Sequence, residues 1–124
     1  MGYNKEMAKK FRLKLQYPTE KQIQATIIEW INKNGGIALR QQSGVFIPYA
    51  MWKSKKAFRI GFKGLSDIVG CWQGRFFAIE VKDHKRIVEP EQRDFIDSVR
   101  GRGGIGMVAR SLDDVIEVLS KNGK

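Results

Sequence analysis

Two acids and a lysine stand at the ends of two short apolar runs. Asp67 opens Asp67-Ile68-Val69-Gly70-Cys71-Trp72, and Glu80 and Lys82 close Arg75-Phe76-Phe77-Ala78-Ile79-Glu80-Val81-Lys82. Gln73-Gly74 between the runs predicts a tight turn joining two strands. Side chains alternate along a strand, so Phe76, Ala78, Glu80 and Lys82 share one face and Phe77, Ile79 and Val81 the other. If the strands pair about the turn, Asp67 falls at the same end of the ribbon as Glu80 and Lys82. Clustered carboxylates suit a hard divalent cation such as Mg²⁺, with Mn²⁺ as a substitute, and the Val81 carbonyl could add a third oxygen. A lysine beside them can orient a water or offset charge building on a phosphate. An isolated Glu-x-Lys is more often a solvated pair. Here Phe76-Phe77-Ala78-Ile79 leads straight into it, which predicts a strand buried on both faces, where unpaired charge is costly.

The elements around this ribbon can be read in order. Thr19 to Asn34 predicts a helix: Thr19 and Gln22 form a capping-box pattern, Asn34-Gly35-Gly36 stops it, and Ile23, Ile27, Trp30 and Ile31 make its buried stripe. Glu20 lies in line with that stripe in the first turn, where it favours the positive helix end or reaches the acid cluster. Ile37 to Gln41 reads as the first strand. Pro90 fits the first position of a helix running to about Arg102, with Phe95, Ile96 and Val99 as its stripe and Gln92 on the same line. A buried amide there needs partners. Ile105 to Arg110 is a last strand, and Ser111 with Asp114 opens a final helix through Val115, Ile116 and Leu119. The predicted fold is α/β: a mixed central sheet flanked by helices, in the order α-β-β-β-α-β-α.

Gly64-Leu65-Ser66-Asp67-Ile68 followed by Phe77-Ala78-Ile79-Glu80-Val81-Lys82 resembles the core signature of the PD-(D/E)XK nucleases. Within them it is similar to the virus-type replication-repair nuclease (VRR-NUC) modules, and the similarity spans roughly Thr19 to Leu119. Those modules carry Gly-x-Pro-Asp or Gly-x-Ser-Asp before the second strand, so Ser66 in place of proline is a mild departure. The resemblance implies a restriction-endonuclease-like core and a metal-dependent endonuclease acting on structured DNA, such as four-way (Holliday) junctions, as a homodimer. It implies that Asp67 and Glu80 bind metal, that Glu20 binds directly or through water, and that Gln92 sits near the metal.

Charge agrees with a polyanionic partner. The formal net charge is +10, and all of the excess precedes Gly64. A basic half joined to a half bearing an acidic metal site suits DNA held against a cation. Gln42 to Lys63 interleaves Phe46, Tyr49, Trp52 and Phe58 with Lys53, Lys55, Lys56, Arg59 and Lys63. Rings can stack on exposed bases while cations meet phosphates, so Trp52 through Lys56, with Arg59 and Lys63, are candidate DNA contacts. Val45-Phe46-Ile47 reads as core. Lys85 and Arg86, in the polar loop after Lys82, join the DNA-binding candidates. His84 in that loop is the only histidine; it could touch a phosphate or assist proton transfer, but a surface histidine is the plainer reading.

The remaining features bound the alternatives. Residues 1–18 read as a basic N-terminal arm and residues 19–124 as one nuclease-like domain. In the arm, Phe11, Leu13 and Leu15 alternate with polar residues, which fits either a frayed tail or a strand pairing with the sheet or a second subunit. Cys71 is the only cysteine, so no internal disulfide can form, and a buried structural thiol is expected. No apolar run is long enough to span a membrane, and no signal-like segment opens the chain, so a cytoplasmic protein of a bacterial or phage-infected cell is expected. No phosphate-cradling glycine motif follows a strand, which argues against a nucleotide cofactor. The alternative function is a non-catalytic basic nucleic-acid-binding domain, in which Asp67, Glu80 and Lys82 pair among themselves and recruit no cation.

Overall fold

The structure is a computed structural model describing residues 17–41 and 64–122. Helix α1 (Glu20–Lys33) leads into β1 (Ile37–Arg40). Then come β2 (Ile68–Trp72), β3 (Arg75–Val81), α2 (Pro90–Gly101), β4 (Ile105–Ala109) and α3 (Leu112–Lys121). This is the order read from the sequence. The four strands form one sheet in the order β1-β2-β3-β4, with β1–β2 and β2–β3 antiparallel and β3–β4 parallel.

Local signals explain where each element begins. In α1 the Thr19 Oγ1 accepts from the Gln22 N–H at 3.2 Å while the Gln22 Oε1 accepts from the Thr19 N–H at 2.9 Å, a complete capping box. The turn between β2 and β3 has Gln73 at φ 49° and Gly74 at φ 83°. Positive φ at both central residues of a two-residue loop matches the right-handed twist of the paired strands. Pro90 occupies the start of α2, where its missing N–H costs nothing. The Ser111 Oγ caps α3 by accepting from the Asp114 N–H at 3.3 Å.

The two faces of the sheet are covered unequally. On one face Ile68, Trp72, Phe77, Ile79, Val81, Ile105, Met107 and Ala109 meet Ile23, Ile27 and Ile31 of α1 and Val115 and Leu119 of α3 in a single apolar core. On the other face α2 packs over β3 and β4, burying Ile96 and Val99. Among the described residues no helix covers β1 and β2 on that side, and Ile37, Leu39 and Phe76 remain 60%, 55% and 48% exposed. This corrects the expectation for Cys71, whose thiol is exposed rather than buried. Its register partners are Ile37 on β1 and Phe76 on β3, so it shares their uncovered face. The expected core segment Val45-Phe46-Ile47 and the apolar alternation of Phe11, Leu13 and Leu15 lie outside the described residues.

Candidate active site

Backbone pairing alone brings the two acids together. The β2–β3 register runs Ile68 opposite Ile79 and Val69 opposite Ala78, and one further step sets Asp67 opposite Glu80. Asp67 is pinned on both sides. Its carbonyl accepts from the Gln41 N–H at 2.7 Å, and its Oδ2 accepts from the Val81 N–H at 2.9 Å. The Lys82 N–H continues the ladder by donating to the Ala109 carbonyl at 3.0 Å, so the lysine leaves β3 in a fixed direction. Glu80 is 2% exposed and Lys82 3%, although both are charged residue types that rarely reach such depth without partners.

The partners that Glu80 does have satisfy only half of it. Its Oε2 accepts from the Gln92 Nε2 at 3.0 Å and lies 3.7 Å from the Lys82 Nζ. Its Oε1 is buried with no hydrogen-bond partner. Gln92 is held in turn, since its Oε1 accepts from the Glu89 N–H at 2.9 Å at the start of α2. Burial is the main reason that the Glu80 carboxyl is pushed up from 4.5 to about 8, and the nearby Asp67 carboxylate pushes the same way. Lys82 opposes the shift, and Glu20 adds a smaller upward push. A carboxyl pair of this kind keeps a proton or takes a cation.

That condition is the test of whether these residues fit a divalent metal, and they do. A carboxyl oxygen buried without a partner, beside a second carboxylate, has unmet bonding capacity of the kind a cation satisfies. The acids are few, however. Among the described residues no group of three or more His, Cys, Asp or Glu side chains could hold a metal by itself. The Glu20 Oε2 accepts from the Asp83 N–H at 3.1 Å, and its Oε1 lies 3.4 Å from the Arg86 guanidinium. Glu20 thus faces the loop after Lys82, near enough for its charge to reach Glu80.

That loop carries a device which sequence reading missed. The Asp83 Oδ1 accepts from the N–H groups of Lys85 and Arg86, each at 2.9 Å, and these bonds, that of Lys85 first, hold its carboxyl below the usual range. The Arg110 guanidinium, at the end of β4, donates to the carbonyls of Asp83 and Arg86, the latter at 2.9 Å. The local Asp83–Lys85 turn could have been found from sequence as an Asx-turn. The Arg110 brace spans 27 residues and had no local signal.

Of the candidate DNA contacts, Lys85 and Arg86 are exposed beside this loop, while Trp52, Lys53, Lys55, Lys56, Arg59 and Lys63 lie outside the described residues. His84 is exposed too, and its ring stacks on Tyr17 at 3.8 Å between centroids and 15° between planes. Ser66 is buried next to Asp67 in the chain, and its hydroxyl has no protein partner. Among the described residues no helix is long and apolar enough to cross a membrane.

Comparison with known proteins narrows the chemistry. The family model described as VRR-NUC domain matches residues 18–113. A solved structure described as a VRR_NUC domain protein superposes with a TM-score of 0.56 at 22% sequence identity, covering 87% of this chain and 93% of that one. That likeness shows the fold. No curated protein matches the chain.

Proposed function

Because the chain belongs to the VRR-NUC domain family, a nuclease-type family, we propose that it is a Mg²⁺-dependent endodeoxyribonuclease, with Mn²⁺ able to substitute. The observation that carries this reading is the Glu80 carboxyl: buried, opposite Asp67, oriented by Gln92 and Lys82, and left with one oxygen unpartnered. Asp67 and Glu80 would hold the cation, with the Val81 carbonyl and waters completing its oxygen shell and Glu20 contributing directly or through water. When bound, the cation supplies charge neutralisation and lowers the pKa of a bound water.

The protein's own groups do the rest. Lys82 is fixed by its backbone bond to Ala109 and by its ion pair with Glu80. Its ammonium orients the attacking water or offsets charge gathering on the phosphate oxygens. Water adds to phosphorus, one P–O bond to the neighbouring sugar breaks, and the products are a phosphate monoester and a hydroxyl. Gln92 holds Glu80 in its rotamer. The substrate is branched DNA, such as a four-way (Holliday) junction, arising in replication, repair or recombination. The enzyme works on it as a homodimer, because a two-fold pair presents two sites to a substrate of matching symmetry. The basic first half and the apolar side of β1 and β2 support these two assignments.

The test is cleavage of labelled duplex, flap and four-way-junction DNAs with and without Mg²⁺, alongside light scattering of the protein alone. Metal-dependent incision that is fastest on a branched substrate, and a mass near twice 14.2 kDa, are expected. DNA binding with no cleavage in Mg²⁺ or Mn²⁺ would replace this reading with a non-catalytic nucleic-acid-binding domain.

A further inference from the structure

A concavity of about 340 Å³ lies between the start of α1, the loop after Lys82 and the start of α3. Its aromatic wall is the Tyr17–His84 stack, its apolar lining is Pro18, Ile23 and Leu112, and Arg110 stands at its side. The ring pair is accessible: Tyr17 is 38% exposed and His84 is exposed as well. Each ring spends one face on the other. Stacking the two rings on each other fixes their planes before any ligand arrives, which lowers the ordering cost of a further stack. Arg110 is held by two loop carbonyls, so its charge has a defined place.

Position gives the concavity its meaning. His84 follows Lys82 by two residues, and Ile23 follows Glu20 by three on the same helix. A phosphate seated at Glu80 and Lys82 therefore has its neighbouring nucleotides within reach of this wall. Lys85 and Arg86, next in the loop, carry positive charge along the same path. A flat aromatic wall, an apolar lining and adjacent cations match one chemical class: a nucleobase with its phosphate. A base locked in a duplex is covered by its neighbours, whereas a base in a single-stranded arm offers its face.

The geometry points to a nucleobase subsite here, in which the Tyr17–His84 stack receives an unpaired base one or a few nucleotides from the scissile phosphate. This rests on the nuclease reading above, and it gives that reading a source of preference for branched over continuous DNA.

The probe is a flap duplex carrying 2-aminopurine at one position at a time along its single-stranded arm, bound with Ca²⁺ in place of Mg²⁺. Binding should quench the emission at one position near the branch. Tyr17→Ala and His84→Ala should each remove that quench and weaken flap binding roughly tenfold, with blunt-duplex binding changed by less than about twofold. Tyr17→Phe and His84→Phe should keep both quench and affinity, because the ring carries the stack. Equal losses on flap and blunt duplex would show a merely structural pair and overturn the subsite, as would a quench that survives both alanine variants. Wild-type protein that binds neither DNA in a salt-dependent way would instead remove the DNA reading itself.

Discussion

At the scale of single residues, Glu80 is left incompletely satisfied. Gln92 and Lys82 both address its Oε2 and nothing addresses Oε1. Gln92→Ala should raise the metal concentration needed for cleavage by about 10–100-fold, the usual cost of losing a group that orients a ligand; a metal titration of cleavage rate reads it. Lys82→Ala should cut kcat by about 10²–10³-fold with DNA affinity largely retained, since its charge acts where reaction charge develops. The raised pKa of Glu80 also ties stability to pH. Its folded value near 8 lies above its unfolded value of 4.5, so the folded state binds the extra proton between those limits. Metal-free protein should therefore be most stable below pH 4.5 as far as this group is concerned. It should lose stability as pH rises through 8, at up to about 1.4 kcal/mol per pH unit. Mg²⁺ should reverse the loss at the alkaline end, and urea titrations at pH 6 and pH 9, with and without Mg²⁺, measure both. Asp67, Glu80 and Lys82 were legible in the sequence because strand alternation and a two-residue turn are local rules. The Arg110 brace was not, because its partners are set by where β4 ends relative to a distant loop.

At the scale of elements, capping residues made the helices readable, and Thr19, Pro90 and Ser111 each stand where a helix begins. Alternation distinguished the two faces of β3 but could not say how far each helix reaches across the sheet. Cys71 was misplaced for that reason: α2 covers β3 and β4 and stops short of β2. One close approach couples the site's elements. Gly64 has φ +85°, and a Cβ there would lie 2.3 Å from the Glu91 carbonyl carbon and 2.6 Å from the Gln92 nitrogen. The strand-entry turn before Asp67 thus rests on the helix turn that carries Gln92. Gly64→Ala should destabilise the fold by about 1–3 kcal/mol through strain and overpacking, and it should raise the metal requirement as Gln92 is displaced. A control at Gly101, where a Cβ meets nothing within 4 Å, should leave the metal requirement unchanged.

At the scale of the whole molecule, the net charge of +10 sits before the acid cluster in sequence, so the proposed function expects affinity from the first half and chemistry from the second. Binding to DNA should weaken steeply with salt. Replacing Lys53, Lys55 and Lys56 together should flatten the slope of log K against log salt by up to about 2.7, roughly 0.9 for each phosphate no longer neutralised, with the cleavage rate of bound DNA preserved. An unchanged slope would move the DNA face elsewhere. Composition alone predicts this division of labour. It could not disclose the path of DNA over the surface, which depends on where the basic residues lie in space.

The connectivity of the sheet also orders events in time. Two residues join β2 to β3, whereas the parallel pairing of β3 with β4 waits for a crossover containing all of α2. Closing the short loop carries little entropic penalty and closing the long one more, so the hairpin belongs early in assembly. The same hairpin sets Asp67 opposite Glu80, but the burial that mainly raises the Glu80 pKa is completed only when α2 docks and delivers Gln92. Refolding of metal-free protein should accordingly differ little between pH 6 and pH 9, with unfolding faster at pH 9. Folding and unfolding limbs measured at the two pH values test this, and a difference confined to the folding limb would place the burial of Glu80 before the rate-limiting step.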